Sequence, residues 1–232
     1  MLEGASIVVE EGQFVSLVGP SGSGKSSLLR AVIGLQKPLK GTVACEVALS
    51  DVGFLFQDDA LLPWNTARDN VALGLTLRGM ARREALEHAD PWLERVGLGG
   101  FGGRFPRHLS GGQRKRVALA QVLVRQPKLL LMDEPFASLD AIVRARVVQD
   151  VAALVERERI TVLLVTHDLE EAISLSDRIY LLSRGPRAHV THEYRTALPR
   201  PRDPVRARTH EGFAPLYEKI WTDLSHEIDD IQ

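Results

Sequence analysis

The sequence holds a single cysteine, Cys45, in 232 residues, so no intrachain disulfide and no cysteine-rich zinc site can form, and a reducing cytosolic setting fits. It has no apolar run approaching the roughly 20 residues that span a bilayer. The start, Met1-Leu2-Glu3-Gly4, lacks the basic opening and long apolar stretch of a signal peptide. Any membrane connection is therefore expected to come through a partner. There is no surplus of one charge: 29 Lys and Arg oppose 30 Asp and Glu, a net charge of -1. That leaves no global positive field to drive non-specific binding to nucleic acid or membrane. What the chain does have is apolar substance. With 44% hydrophobic and 25% charged residues, it can bury a real core and is not a disordered chain. The length fits one large domain, or one domain with an inserted lobe.

Strand-like and helix-like runs alternate, which predicts a mainly parallel α/β sheet covered by helices. Phe14 to Val18, Val52 to Phe56, Lys128 to Met132, Thr161 to Val165 and Ile179 to Leu182 read as strands, and Ser26 to Ile33 as a helix stopped by Gly34. Between Asp58 and His108 the texture becomes helical. Thr66-Ala67-Arg68-Asp69 is a capping box that starts a helix ending near Gly79. A second helix spans about Ala81 to Arg95, with a kink or break expected at Pro91 because an interior proline costs about 3 kcal/mol. From about Gly185 the rhythm fades. Arginines and prolines alternate between Arg195 and Arg208, predicting an extended, solvated surface segment, with a short amphipathic helix from Phe213 to Leu224. No aromatics interleave with those arginines, so no nucleic-acid partner is expected. His189 and His192 have a possible metal spacing but no acidic or cysteine partners, and read as surface histidines.

Gly19-Pro20-Ser21-Gly22-Ser23-Gly24-Lys25-Ser26 fills every fixed position of G-x-x-x-x-G-K-[ST], between a predicted strand and a predicted helix, with Ser27 following. Glycines let successive backbone N–H groups turn inward as an anion nest, and the helix start adds its positive dipole end. Lys25 can reach the β- and γ-phosphates of a nucleotide, and the Ser26 hydroxyl can ligate Mg²⁺. Leu129 to Met132 then delivers Asp133, which can hold Mg²⁺ through water, and Glu134, which can orient or deprotonate an attacking water. His167 follows a strand at the sheet edge where ligands bind, although a lone strand-end histidine is more often structural.

Leu109-Ser110-Gly111-Gly112-Gln113 opens a helix running to Arg125, with Ser110 as N-cap and two glycines admitting an anion. One nucleotide needs only one phosphate loop, so a second phosphate-binding helix start points to a site shared between two molecules. Here the sequence resembles the ATP-binding subunit of an ABC transporter, whose signature motif contacts the γ-phosphate on the opposite subunit. The resemblance covers roughly residues 1 to 185 and carries further implications in chain order. Gln57 is similar to the glutamine that senses Mg²⁺ and the attacking water. Ser138-Leu139-Asp140 is similar to the loop that crosses the dimer interface. His167 is similar to the switch histidine, Glu134 to the general base and Asp133 to the Mg²⁺ acid.

The fold so implied is a P-loop (RecA-like) core, residues 1–57 and 109–185, with a helical subdomain at 58–108 and a tail at 186–232. Ala60 to Trp64, Asn70 to Leu75 and the tail from Pro201 to Leu224 resemble importer ATPases of the nitrate, sulfonate and taurine group. The activity implied is ATP hydrolysis by a head-to-tail homodimer on the cytoplasmic face of the cell membrane. Its implied partners are an integral membrane permease docking near Gln57 and Leu61–Trp64 and, indirectly, an extracytoplasmic solute-binding protein. Read from its residues alone, Leu61-Leu62-Pro63-Trp64 is equally a docking groove or packing of the insert onto the core. A soluble assembly or repair ATPase is the rival reading. The long coiled-coil arms or second cassette that would favour it do not occur in the sequence.

Two departures from the family pattern stand out. Only eighteen residues precede Gly19, and the sole aromatic among them, Phe14, lies in the core strand, so the usual first strand and its adenine-stacking aromatic are missing. Either the chain starts internally or it holds nucleotide mainly through phosphates. The short span from Gly19 to Gln57 predicts a trimmed antiparallel sheet around Cys45. Lys115 and Gln121 stand where other polar residues are expected, and neither is assigned to the chemistry.

Overall fold

The computed structural model describes residues 2–137 and 139–229. Six strands form one sheet: β1 (Phe14–Val18), β2 (Val52–Leu55), β3 (Leu129–Asp133), β4 (Thr161–Val165), β5 (Arg178–Leu182) and β6 (Val190–Arg195). Their order is β2-β3-β4-β1-β5-β6, parallel except that β6 runs antiparallel to β5. The parallel strands are near-continuous apolar runs because helices cover both of their faces, and all five residues of β1, β3 and β4 are buried. Strands β3, β4 and β1 are neighbours with aligned directions. Their carboxyl ends therefore bring Gly19, Glu134 and His167 to one edge in the middle of the sheet, where parallel α/β sheets bind ligands.

Helix α1 (Lys25–Val32) follows β1, α2 (Ala67–Thr76) and α3 (Arg82–Arg95) follow β2, and α4 (Gly111–Leu123) leads into β3. Thr66 Oγ1 caps α2 by accepting from Asp69 N at 3.2 Å, as the capping box predicts. Helix α3 is not broken at Pro91. Ala85, Ala89, Trp92 and Leu93 are all buried in the core shared with α2 and α4, and that burial outweighs the lost backbone bond. The expected antiparallel sheet around Cys45 does not form among the described residues. Residues 35–46 are exposed and carry no strand, so the segment has no packed face against which a sheet could be buried. Residues 3–13 likewise contain no strand, and only Leu2 makes an isolated parallel bridge, to Ala188.

Asn70, fully buried in α2, shapes the loop before it. Its Nδ2 donates to the carbonyls of Leu62, Asn65 and Thr66, and its Oδ1 accepts from Leu62 N at 2.7 Å. Leu61 packs against the core while Trp64 stands 71% exposed, so the apolar cluster divides between packing and presentation.

Helices α5 (Ala141–Glu158), α6 (Leu169–Leu175) and α7 (Phe213–Asp229) complete the fold. The region after Gly185 is less solvated than its composition suggests. Strand β6 pairs along the sheet edge, α7 runs five residues past Leu224, and Arg202 is buried against Asp177. The Asp177 carboxylate accepts from Phe14 N at 2.9 Å, Arg200 at 2.6 Å and Arg202 at 2.7 Å. Burial pushes its pKa up, but the bonds from Arg200, Phe14 and Arg202 together hold it below the usual carboxylate range. The stability this supplies is present at neutral pH and is lost as pH falls through that lowered value. Asp177→Ala should cost about 3 kcal/mol, because Arg202 is left buried without a counter-ion; urea unfolding at neutral pH checks it, and an unchanged midpoint would contradict it.

Candidate active site

The phosphate loop begins where β1 stops. Gly24, at φ 91°, sits in left-handed backbone at the N-cap of α1, a conformation that turns the loop into the helix and suits glycine. Lys25 is 6% exposed. Its Nζ donates to the Gly19 carbonyl at 2.8 Å, the Pro20 carbonyl at 2.9 Å and Ser23 Oγ at 3.4 Å. The ammonium is thus folded onto its own loop, over the nest a phosphate would fill. Burial lowers its pKa, against the opposing pull of Glu134 and Asp133.

Ser26 Oγ donates to Asp133 Oδ1 at 2.8 Å, joining the start of α1 to the end of β3. This pair offers the hard oxygen donors that Mg²⁺ prefers. Among the described residues no three His, Cys, Asp or Glu side chains cluster as a metal cage. The donor set therefore fits an ion held by one hydroxyl, one carboxylate and the oxygens of a substrate, rather than by protein alone.

Glu134 follows at φ 43°, in left-handed backbone that a non-glycine residue rarely adopts, held by its N–H donating to Val165 O at 2.9 Å. Its Oε2 lies 3.2 Å from His167 Nδ1. His167 stands two residues beyond β4, with its side chain 62% exposed. A buried network supports that turn. Asp168 caps α6, accepting from Glu170 N and Glu171 N, and pairs with Arg144 at 3.2 Å; Arg144 also donates to Leu139 O. Thr166 Oγ1 donates to Glu171 Oε2 at 2.8 Å and accepts from Asp168 N.

Burial pushes the Glu171 carboxyl up to about 7, with Asp168 and Glu134 adding to the shift and Thr166 and Arg144 opposing it. The folded chain holds this proton more tightly than the unfolded one, so ionising Glu171 weakens the fold. Stability from this group falls as pH rises from 4.5 to about 7 and is level above that. Glu171→Gln should remove a slope on the order of 3 kcal/mol between about pH 5 and about pH 8. Urea midpoints at the two pH values test this, and an equal slope in the variant would contradict it.

The Ser110 motif forms the complete reciprocal cap: Gln113 N donates to Ser110 Oγ, and Ser110 N donates to Gln113 Oε1. Gly112 lies against α5, where a Cβ would meet Val143 at 2.2 Å, so only glycine fits. Asp140 caps α5 by accepting from Val143 N at 3.0 Å; Ser138, the other polar residue of the Ser138-Leu139-Asp140 loop, lies outside the described residues. Within the single chain, no described hydrogen bond or ion pair links Ser110–Gln113 to residues 19–27. Gln57 is exposed on the loop after β2. Lys115, read from sequence as an ordinary polar helix position, instead reaches this loop: its Nζ donates to the carbonyl oxygen of Gln57 at 2.9 Å.

A family model described as ABC transporter matches residues 2–137. The chain belongs to the ABC transporter family. It is 48% identical over 224 residues to the aliphatic sulfonates import ATP-binding protein SsuB 2 of Rhizobium johnstonii, covering 97% of this chain and 86% of that protein. It is 40% identical to the nitrate import ATP-binding protein NrtD of a Synechocystis strain, over 90% of this chain and 80% of that one. Among solved structures it is similar to the ATP-binding cassette MJ0796 in a dimeric post-hydrolysis state bound to ADP and Pi. That match has a TM-score of 0.74 and 33% identity, over 85% of this chain and 91% of the other. The α/β fold is that of an ABC ATPase cassette.

Against the ABC pattern, sequence reasoning missed Arg144, Asp168, Glu171 and Lys115. Asp168-Leu169-Glu170-Glu171 did carry a signal, an acidic N-cap with two acids in the first turn. Nothing local marks Lys115, whose partners lie more than 50 residues away, or the pairing of Arg144 with Asp168, 24 residues on.

Proposed function

We propose that this chain is the ATP-binding and ATP-hydrolysing subunit of an ABC importer and works as a head-to-tail pair with two-fold symmetry. The observation that carries the reading is Glu134, in left-handed backbone 3.2 Å from His167 and next in chain to the Ser26–Asp133 pair. Each of two ATP molecules lies between residues 19–27 of one copy and Ser110, Gly111, Gly112 and Gln113 of the other, with Asp140 near the crossing. Lys25 leaves the Gly19 and Pro20 carbonyls to bind β- and γ-phosphate oxygens. Ser26 and Asp133, with Gln57, would hold a Mg²⁺ ion, which would neutralise phosphate charge when bound.

Glu134 orients the water that attacks the γ-phosphorus and takes its proton, while the bond to the β,γ-bridging oxygen breaks and ADP leaves with that oxygen. His167 holds the Glu134 carboxylate and the γ-phosphate in register. Loss of the γ-phosphate removes the bridge to Ser110, and the pair reopens.

Among the described residues no helix is long and apolar enough to cross a membrane. Relatives named as import ATP-binding proteins support coupling to transport through a permease, with the chain peripheral at the cytoplasmic face. The exposed Trp64, on the loop that follows Gln57, supports docking there. Relatives named for aliphatic sulfonates and nitrate support a small anion as the solute, delivered to the permease by a solute-binding protein. The test is retention of the tagged chain by one multi-span membrane protein in detergent, with ATP hydrolysis stimulated by the complex. Vigorous hydrolysis by a chain that retains no membrane protein would contradict the importer reading.

A further inference from the structure

Lys115 lies mid-way along α4 with its side chain 1% exposed. Burying an ammonium is tolerable only when its protons find acceptors. Its Nζ donates to Gln57 O at 2.9 Å and Phe56 O at 3.3 Å and forms an ion pair with Asp59 Oδ1 at 3.2 Å. All three belong to one four-residue loop, and Phe56 and Gln57 within it are exposed to solvent. The other oxygen of Asp59 accepts from Arg114 Nε at 3.1 Å, and Arg114 Nη1 donates to the carbonyl of Leu109 at 2.9 Å. An unbroken run of charge-assisted bonds thus joins the Gln57 backbone to the residue before Ser110.

We propose that Lys115 is a positioning residue that makes the Gln57 loop move with the Ser110 helix start, so that a phosphate engaged at Ser110 is felt at Gln57 and along Leu61–Trp64. The proposal rests on the nucleotide reading above and adds to it the element that carries the motion. The loop runs past the end of β2 without strand pairing of its own, and Lys115, with Arg114 beside it, ties it to α4. A packing residue at this position would need no proton donors, whereas here the ammonium makes both of its hydrogen bonds and its ion pair to the loop.

Hydrogen–deuterium exchange of the full chain, carrying Glu134→Gln so that ATP persists, tests this with and without Mg-ATP. In that parent, residues 109–114 and 56–65 should both gain protection on adding Mg-ATP. With Lys115→Met added, the response at 109–114 should persist, while that at 56–65 falls at least threefold. A merely structural lysine would alter exchange equally with and without nucleotide and leave the Mg-ATP difference intact, which overturns the proposal. Loss of the response at both segments would assign Lys115 to the helix start alone and also overturns it.

Should Lys115→Met fail to fold, Asp59→Asn, on the loop and partly exposed, should lower the 56–65 response at least twofold; no change there overturns the proposal. If residues 19–27 gain no protection with Mg-ATP in the parent, the nucleotide reading falls and the proposal with it. If they are protected while 56–65 stays silent in the parent, the coupling alone is overturned.

Discussion

Glu134→Gln should bind Mg-ATP as the unsubstituted chain does and lose turnover by roughly 100- to 10,000-fold, the usual contribution of a positioned general base. The substitution keeps the size of the side chain and leaves Lys25, Ser26 and Asp133 untouched, so the phosphate contacts survive. What disappears is the acceptor for the proton of the attacking water. The backbone makes the assignment specific. At φ 43° Glu134 holds a left-handed conformation that costs on the order of 1–3 kcal/mol. That cost is met at the one position where β3 ends beside the phosphate loop and opposite His167. A carboxylate serving only as a solvated strand end would have no need of it. Steady-state phosphate release measures the effect, and turnover within a few-fold of the parent would remove Glu134 from the role.

Lys25→Met should abolish Mg-ATP binding without weakening the nucleotide-free fold. The ammonium is buried and its pKa is lowered chiefly by that burial, so the charge is a burden on the empty protein. Methionine keeps much of the apolar stem and removes the charge. The half-buried Pro20 carbonyl can then take water in place of the donor, while the buried Gly19 carbonyl loses one, a cost set against the removal of the buried charge. A ligand at one hundred times its Kd stabilises by about 2.7 kcal/mol, or a shift on the order of 5–10 °C for a domain of this size. The parent should show that shift with Mg-ATP, and the variant should show none while melting at or above the parent's nucleotide-free temperature. A full shift in the variant would mean that the nucleotide is held elsewhere.

The parts legible in the sequence are those with a local cause. Phe14–Val18, Leu129–Asp133 and Thr161–Val165 are short apolar runs that can be satisfied only by burial on both faces, and all became central strands. Thr66 and Ser110 announce helix starts because the cap and its partner lie three residues apart. The phosphate-loop pattern is likewise contiguous. What the sequence concealed depends on partners far along the chain. Strand β6, Val-Thr-His-Glu-Tyr-Arg, has one buried side chain and forms because β5 offers an edge. The tail arginines read as solvated because nothing near them reveals Asp177, which lies 23 and 25 residues upstream of Arg200 and Arg202. Pro91 misleads in the other direction: helix propensity is a local term, and the burial of Trp92 and Leu93 overrides it. Lys115 looks like any polar helix residue until the loop from Phe56 to Asp59 folds over it.

The same distinction bears on how adenine is held. Phe14 is buried in β1, so it offers no face to a base, as its place in an apolar run suggested. Leu2 instead packs near Gly24, where a Cβ would lie 3.1 Å from its side chain. Among the described residues the Ser110 motif has no bond to the phosphate loop, and the proposed nucleotide shared with another copy would use both.

The mass of Glu134→Gln in solution, measured by light scattering with and without Mg-ATP and with Lys25→Met as control, tests the shared site most directly. The account predicts a dimer only when Mg-ATP is present, and a monomer for Lys25→Met under every condition. A Glu134→Gln chain that binds Mg-ATP yet stays monomeric would contradict the shared site, and with it the role given to Ser110, Gly111 and Gly112.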